Sequence, residues 1–142
     1  MLGTGSSGPP KERPCTIAVI ERDGRVLMGR KAPGVGIYPN KWLLPGGGLL
    51  PHETNFEGLK REVFEETGLE VVSAKPILYQ EDIVTRDGQV VKCQFFTYLA
   101  EAKGEPGPSE ELVELRWFSK AEFQEADIPP VTAEVFKHLG WL

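Results

Sequence analysis

Gly47-Gly48-Leu49-Leu50-Pro51-His52-Glu53-Thr54-Asn55-Phe56-Glu57-Gly58-Leu59-Lys60-Arg61-Glu62-Val63-Phe64-Glu65-Glu66-Thr67-Gly68-Leu69 joins a glycine-rich segment to an acidic helix. Thr54 or Asn55 is placed to cap the helix at its start. Phe56, Leu59, Val63 and Phe64 fall at helical spacing for a buried stripe. Gly68 sits where a left-handed residue ends a helix. Glu62, Glu65 and Glu66 stand at i, i+3 and i+4, so they share a face and repel one another. They also occupy the end of the helix where the backbone dipole disfavours anions. Three carboxylates so placed call for a compensating cation, and hard oxygen donors select Mg²⁺, Mn²⁺ or Ca²⁺ over zinc. Taken alone, such a helix reads as a solvated acidic face with Arg61 paired to Glu65. The upstream Pro45-Gly46-Gly47-Gly48 changes that reading, because backbone without side chains can approach a metal or a phosphate.

Working outward, Cys15 to Glu21 is rich in β-formers, and Arg22-Asp23-Gly24 separates it from Val26 to Arg30. Two apolar runs joined by Asp-Gly predict a hairpin. Lys31 to Asn40 reads as a loop, Trp42-Leu43-Leu44 as a short apolar piece, and Pro45 to Gly48 as a break in regular structure. After the helix an extended run restarts over Leu69 to Val72. A second hairpin is expected from Ile77 to Val84 and Gln89 to Ala100, turning at Arg86-Asp87-Gly88. Its second strand becomes apolar on both faces, as a central strand does. Leu112 to Phe118 predicts a strand, Ser119 caps a short helix through Gln124, and Val131 to Leu139 forms a last helix with Val131, Val135, Phe136 and Leu139 inward. Mixed strands with an internal and a C-terminal helix predict an α/β (α+β) sandwich, a mixed central sheet flanked by helices.

The chain of 142 residues, with 40% hydrophobic and 26% charged residues, has the size and composition of one globular domain. Residues 1–13 read as a flexible leader, a cloning remnant in style, and 14–142 as a single domain. The opening segment lacks the charged end and apolar stretch of a signal peptide, and no run is long enough to span a membrane. Cys15 and Cys93 have neither metal-ligand nor disulfide-framework spacing, so both are expected as reduced sheet residues of a cytoplasmic protein. A net charge of −5 argues against a nucleic-acid partner, which needs a basic face.

The stretch from Gly47 to Leu69 resembles the signature of the Nudix hydrolases at every position that signature specifies: Gly47, Glu53, Arg61-Glu62-Val63, Glu65-Glu66 and Gly68-Leu69. The resemblance implies the Nudix fold and a metal-dependent hydrolase of phosphoanhydride bonds. Carried over residue by residue, Glu62, Glu65 and Glu66 would bind Mg²⁺, with Mn²⁺ as a substitute, and the Gly46 carbonyl would add a backbone ligand. Arg61 would orient the cluster, and Glu53 would join its network. Members of the family often recruit a further acid from a later loop or strand, as metal ligand or general base; Glu111 is the first candidate for both roles here, ahead of Glu110 and Glu114. Two departures stand out. His52 precedes Glu53 where many members carry glycine, and Gly58 replaces a commoner alanine at a helix cost of about 1 kcal/mol.

The implied substrate is a small molecule built on a nucleoside diphosphate. Gly34 to Gly48, Glu81 to Thr85 and Lys137 to Leu142 are similar to Nudix nucleoside triphosphatases of bacteria that prefer pyrimidine deoxynucleotides. An ADP-ribose or nucleotide-sugar pyrophosphatase is the alternative within the family, and a non-catalytic nucleotide-binding module the alternative outside it. Such modules usually lose cluster residues, which this chain keeps. A base needs an aromatic or apolar wall, for which Tyr38 and Phe95 lead Trp42, Tyr79 and Phe96. Arg30, Lys31 and Lys41 are candidates for phosphate contacts. The two-sided apolar strand and the Trp141-Leu142 ending would suit a homodimer or a monomer core.

Overall fold

Both Asp-Gly pairs turn the chain through left-handed backbone: Asp23 and Gly24 have φ of 54° and 76°, Asp87 and Gly88 of 52° and 75°. Positive φ at both central residues marks the turn whose twist matches paired strands. The computed structural model describes residues 9–107, 109 and 112–142. In chain order the elements are β1 (Lys11–Val19), β2 (Glu21–Arg22), β3 (Arg25–Lys31), β4 (Trp42–Leu43), β5 (Gly46–Gly48), α1 (Asn55–Thr67), β6 (Glu70–Arg86), β7 (Gln89–Lys103), β8 (Leu112–Ser119), a 3₁₀ turn (Lys120–Glu122) and α2 (Pro130–His138). Among the described residues the strands form two four-stranded sheets. One has the order β5-β1-β7-β6; in the other, β2, β3 and β4 are neighbours and β8 pairs with β3. In the first, β1 runs parallel to β7 and antiparallel to β5, which makes it the expected mixed sheet.

Alternation along β1 and β3 divides the core into two layers, because successive strand residues point to opposite faces. Ala18, Ile20 and Leu27 pack with Leu59 and Val63 of α1. Val19, Val26 and Met28 pack with Val135 and Phe136 of α2 and with Phe118 and Phe123. Phe123 and Phe136 stack at 3.9 Å between ring centroids, and Trp141 turns inward onto both. Helices on opposite sides of the strands give the expected α+β sandwich.

Several local expectations are corrected. Strand β1 begins at Lys11, so residues 11–13 lie in the sheet and not in a leader ending before Pro14. The first apolar run is split between two sheets: Cys15 to Val19 pairs with β5 and β7, and only Glu21 and Arg22 form the hairpin with β3. Gly46 to Gly48 is a strand, not a break, because β1 offers it a ladder. Strand β6 runs unbroken from Glu70 to Arg86, absorbing the expected gap at two register shifts. The short helix after Ser119 is a 3₁₀ turn closed by Glu122, which accepts from both the Ser119 N–H and its hydroxyl. On α1 the buried stripe is Leu59, Val63, Glu66 and Thr67. Phe56 and Phe64 face outward at 41% and 61% exposure. The helix turns its polar flank, not its aromatic one, toward the glycine strand.

Gly46 carries φ of 148°, and a Cβ there would lie 2.1 Å from the Thr16 carbonyl oxygen. No rotamer relieves a clash with backbone. Gly46→Ala is therefore expected to destabilise the protein by about 2–4 kcal/mol, read as a lowered urea midpoint; a wild-type midpoint would contradict the β1–β5 geometry.

Candidate active site

The site is built where α1 meets the outer edge of β5. Thr54 caps the helix through a reciprocal pair: its hydroxyl accepts from the Glu57 N–H at 3.1 Å, and Glu57 accepts from the Thr54 N–H at 2.9 Å. Such a capping box satisfies two donors that helix geometry leaves free. Gly68 ends the helix at φ of 80°, its N–H donating to the Phe64 carbonyl. His52 holds φ of 66°, a left-handed position that favours glycine, which gives the physical sense of that departure. Gly58 also has a reason. A Cβ on it would meet Leu49 at 2.2 Å and the Glu53 carboxylate at 3.0 Å, so glycine lets the Leu49–Glu53 segment lie against the helix.

Antiparallel ladders alternate residues that bond across the pair with residues whose N–H and C=O point away. Ala18 N–H donates to the Pro45 carbonyl and Leu49 N–H to the Pro14 carbonyl. Gly46 and Gly48 therefore turn their polar groups to the free edge of β5, toward α1. There the Gly46 N–H donates to Glu66 Oε1 at 2.8 Å, and the Gly48 carbonyl accepts from Arg61 at 3.0 Å. Glu66 is only 3% exposed, and this backbone donor helps to offset the desolvation of its carboxyl.

Arg61 holds the rest together. Its Nε and Nη2 grip both oxygens of Glu53 at 2.8 and 3.0 Å, a bidentate fork. Its Nη1 donates to Glu62 at 2.9 Å and to Glu65 at 3.2 Å. The Arg61 hydrogen bonds, with a further one from the Leu50 N–H, pull the Glu53 carboxyl down to about 2. The same partners push the Arg61 guanidinium upward, so one guanidinium is the counter-charge that the crowded helix end requires.

The donor set fits a hard divalent cation in its chemistry: Glu62, Glu65 and Glu66 supply only carboxylate oxygens. Glycine at 47 lets one of these donors lie against the strand: a Cβ there would be 2.5 Å from Glu62 Oε2. As the side chains stand, no three His, Cys, Asp or Glu groups among the described residues gather as a ligand set. Glu62 and Glu65 are turned to Arg61 and Glu66 to Gly46.

Beside this edge opens a cleft between the β1–β7–β6 face, the Ile37–Tyr38 loop and α2. Gly46, Gly47 and Glu66 are part of its lining, together with Tyr38, Phe95, Gln80, Thr97, Arg13 and Lys31. Tyr38 donates to Asp82 at 2.5 Å; burial and that bond push its hydroxyl upward, so it stays a phenol. Tyr38 and Phe95 form a tilted ring pair at 6.4 Å. Cys15 also lines the cleft, but burial raises its thiol to about 11, which leaves no thiolate nucleophile at neutral pH.

Of the residues singled out in the sequence, Glu53, Arg61, Glu62 and Glu65 meet in one network, with Glu66 and Gly46 joined beside it. Tyr38 and Phe95 face the cleft. Arg30 pairs with Glu114 and Asn40, and Lys41 pairs with Asp127; neither is part of the cleft lining. Glu110 and Glu111 lie outside the described residues. Arg13 went unnoticed because it fell in the stretch read as leader. Gln80 and Thr97 carried no motif, although both share the cleft face with Phe95.

The fold and this site together define a phosphoanhydride-cleaving enzyme of one family, and the chain belongs to it: the NUDIX domain matches residues 11–139. The protein is thus a Nudix pyrophosphohydrolase. Members generally need a divalent metal and act on small nucleotide substrates. The nucleoside triphosphatase NudI of Enterobacter sp. (strain 638) is 29% identical over 93% of this chain and 99% of its own length. NudI of Escherichia coli O1:K1 / APEC is 28% identical over the same shares. Among solved structures, a mutator MutT protein from Bacillus halodurans superposes with a TM-score of 0.74 at 28% identity, covering 89% of this chain and 81% of its own. A MutT protein from Methanosarcina mazei Go1 reaches 0.77 at 25% identity, over 92% and 94%. No helix among the described residues is long and apolar enough to cross a membrane.

Because the Glu53 carboxyl lies below its ordinary value of 4.5 in the folded protein, its contribution to stability is complete above that value. It is lost as pH falls through 4.5 toward about 2. Urea midpoints at pH 7 and pH 3 should therefore fall further for the wild type than for Glu53→Gln. A gap between the two proteins that does not change with pH would contradict the Arg61–Glu53 assignment.

Proposed function

We propose that this protein is a Mg²⁺-dependent nucleoside triphosphatase that releases a nucleoside monophosphate and pyrophosphate, with Mn²⁺ as a substitute ion. The observation that carries this reading is the position of the acidic end of α1: it faces the polar edge of β5, and Gly46, Gly47 and Glu66 share the lining of one cleft with Tyr38 and Phe95. The near full-length likeness to proteins named nucleoside triphosphatase supports the substrate class.

In this reading Glu62, Glu65, Glu66 and the Gly46 carbonyl hold the metal, which when bound would neutralise phosphate charge and acidify a water. Arg61 keeps the carboxylates on one side of the helix and gives up Glu62 and Glu65 as ligands while retaining Glu53 and Gly48. A carboxylate, Glu65 or Glu111, accepts the proton of the attacking water. The glycine edge admits phosphate oxygens close to backbone, since no side chain stands there. Arg13 and Lys31, both in the cleft lining, take the phosphate-facing role, and Arg30 and Lys41 are left to their ion pairs. Tyr38 and Phe95 wall the base. Most of the rate gain then comes from positioning and fixed charge. Buried free cysteines are in keeping with a reducing cytoplasm.

The test is a phosphate-release screen with Mg²⁺ across nucleoside triphosphates, ADP-ribose and nucleotide sugars, with and without added pyrophosphatase or phosphatase. The expected signal comes from triphosphates and needs pyrophosphatase. Glu65→Gln should lower kcat by about 100-fold or more while leaving the melting temperature near wild type. Signal only from ADP-ribose or sugars, revealed by phosphatase, would replace this reading with the pyrophosphatase one. Full activity in Glu65→Gln would overturn the mechanism.

A further inference from the structure

Two stretches singled out in the sequence, Gly34 to Gly48 and Glu81 to Thr85, are joined beside the cleft by a hydrogen bond that the hydrolytic cluster does not use. Residues 32–41 connect β3 to β4. Gly34 and Gly36 take φ of 80° and 78°, and Val35 between them is exposed. The far end of this segment is tied down by polar contacts: Asn40 accepts from Arg30, Lys41 pairs with Asp127, and the Trp42 N–H donates to the Asp127 carbonyl. Its middle is held differently. Ile37 and Tyr38 pack on the buried cluster that contains Cys15, Cys93 and Phe95, and the Tyr38 hydroxyl donates to Asp82 of β6 at 2.5 Å. Asp82 stands opposite Cys93 in the ladder, on the face that also carries Val84 opposite Val91. A half-buried carboxylate among such neighbours costs desolvation that an apolar side chain would not incur, so its bond to Tyr38 asks for a purpose beyond filling the core.

We propose that Asp82 is a positioning residue for nucleotide binding: its bond to the Tyr38 hydroxyl latches segment 32–40 onto the sheet and keeps the Tyr38 ring in the cleft wall beside Phe95. The inference rests on the nucleotide reading given above for what that wall binds. The latch between Tyr38 and Asp82 is a property of the free protein. With the Tyr38 and Phe95 rings already paired at 6.4 Å, the wall is formed before a ligand arrives, and binding does not bear the cost of ordering it. When the latch is cut, the segment opens for part of the time. Only the closed fraction then presents the wall, and apparent affinity falls in proportion to that fraction. The same opening uncovers Cys15 and Cys93, which are 1% and 0% exposed while the segment lies over their cluster.

Thiol labelling of the free protein tests the latch, and steady-state kinetics test its consequence. Tyr38→Phe keeps the ring and removes the donor, Asp82→Ala removes the acceptor, and Asp82→Asn keeps an acceptor oxygen. Tyr38→Phe and Asp82→Ala should each label Cys15 with a maleimide about fivefold faster than the wild type, well below the melting temperature. With the deoxynucleoside triphosphate that the wild type cleaves best, both should raise KM about fivefold and change kcat by a smaller factor. Asp82→Asn should recover most of the loss, and the Tyr38→Phe/Asp82→Ala double variant should be no worse than either single one, because both cut the same bond. A contact that serves the fold alone would lower the melting temperature and leave KM at the wild-type value. That result, wild-type labelling rates in Tyr38→Phe, or additive losses in the double variant would each overturn the proposal. A wild type that cleaves ADP-ribose or a nucleotide sugar in place of triphosphates would remove the triphosphatase reading alone, and the same KM comparison is then made with that nucleotide.

Discussion

One guanidinium organises this protein's chemistry. Arg61 stands in the last two turns of α1 and donates to three carboxylates and a strand carbonyl. Without it, Glu62, Glu65 and Glu66 would crowd the end of a helix whose dipole already opposes them. Lysine could not replace it, because a compact ammonium cannot make the planar fork with Glu53 while reaching Glu62, Glu65 and Gly48. Arg61 also ties the turn before the helix to the helix itself and to β5. The geometry of Glu53, the register of α1 against β5 and the direction of the acidic face therefore depend on one side chain.

The glycine strand is the other half of the design. An edge strand usually presents polar backbone as a liability. Here the free edge of β5 is used instead: Gly46 donates to Glu66, Gly48 accepts from Arg61, and Gly47 leaves space at Glu62. Each of the three glycines sits where a side chain would meet something specific, whether backbone, a carboxylate or Arg13. Gly46 and Gly47 of the same short strand also line the cleft, which brings the acidic face and the opening onto adjoining surfaces.

Much of this was legible in the sequence because local chemistry decided it. The Thr54 cap, the Gly68 stop, the two Asp-Gly turns and the common face of the glutamates follow from short-range rules that tertiary context left unchanged. What was not legible depended on partners distant in the chain. Gly46 to Gly48 reads as a break until β1 is beside it. Phe56 and Phe64 fit a buried stripe equally well until α1 is seen to rotate its polar flank toward β5. Arg30 and Lys41 looked available until Glu114 and Asp127 were found across the fold. Arg13, Gln80 and Thr97 became cleft residues only through strand register, which no motif marks.

The central claim is that the acidic end of α1 binds a divalent cation in exchange for part of its hold on Arg61. Thermal unfolding in chelator and in millimolar Mg²⁺ tests it most directly, because a ligand that binds only the folded state raises its stability by mass action. The account predicts a higher melting temperature in Mg²⁺ for the wild type and little or no rise for a Glu62→Gln/Glu65→Gln double variant. Superimposable wild-type curves in chelator and Mg²⁺ would contradict it.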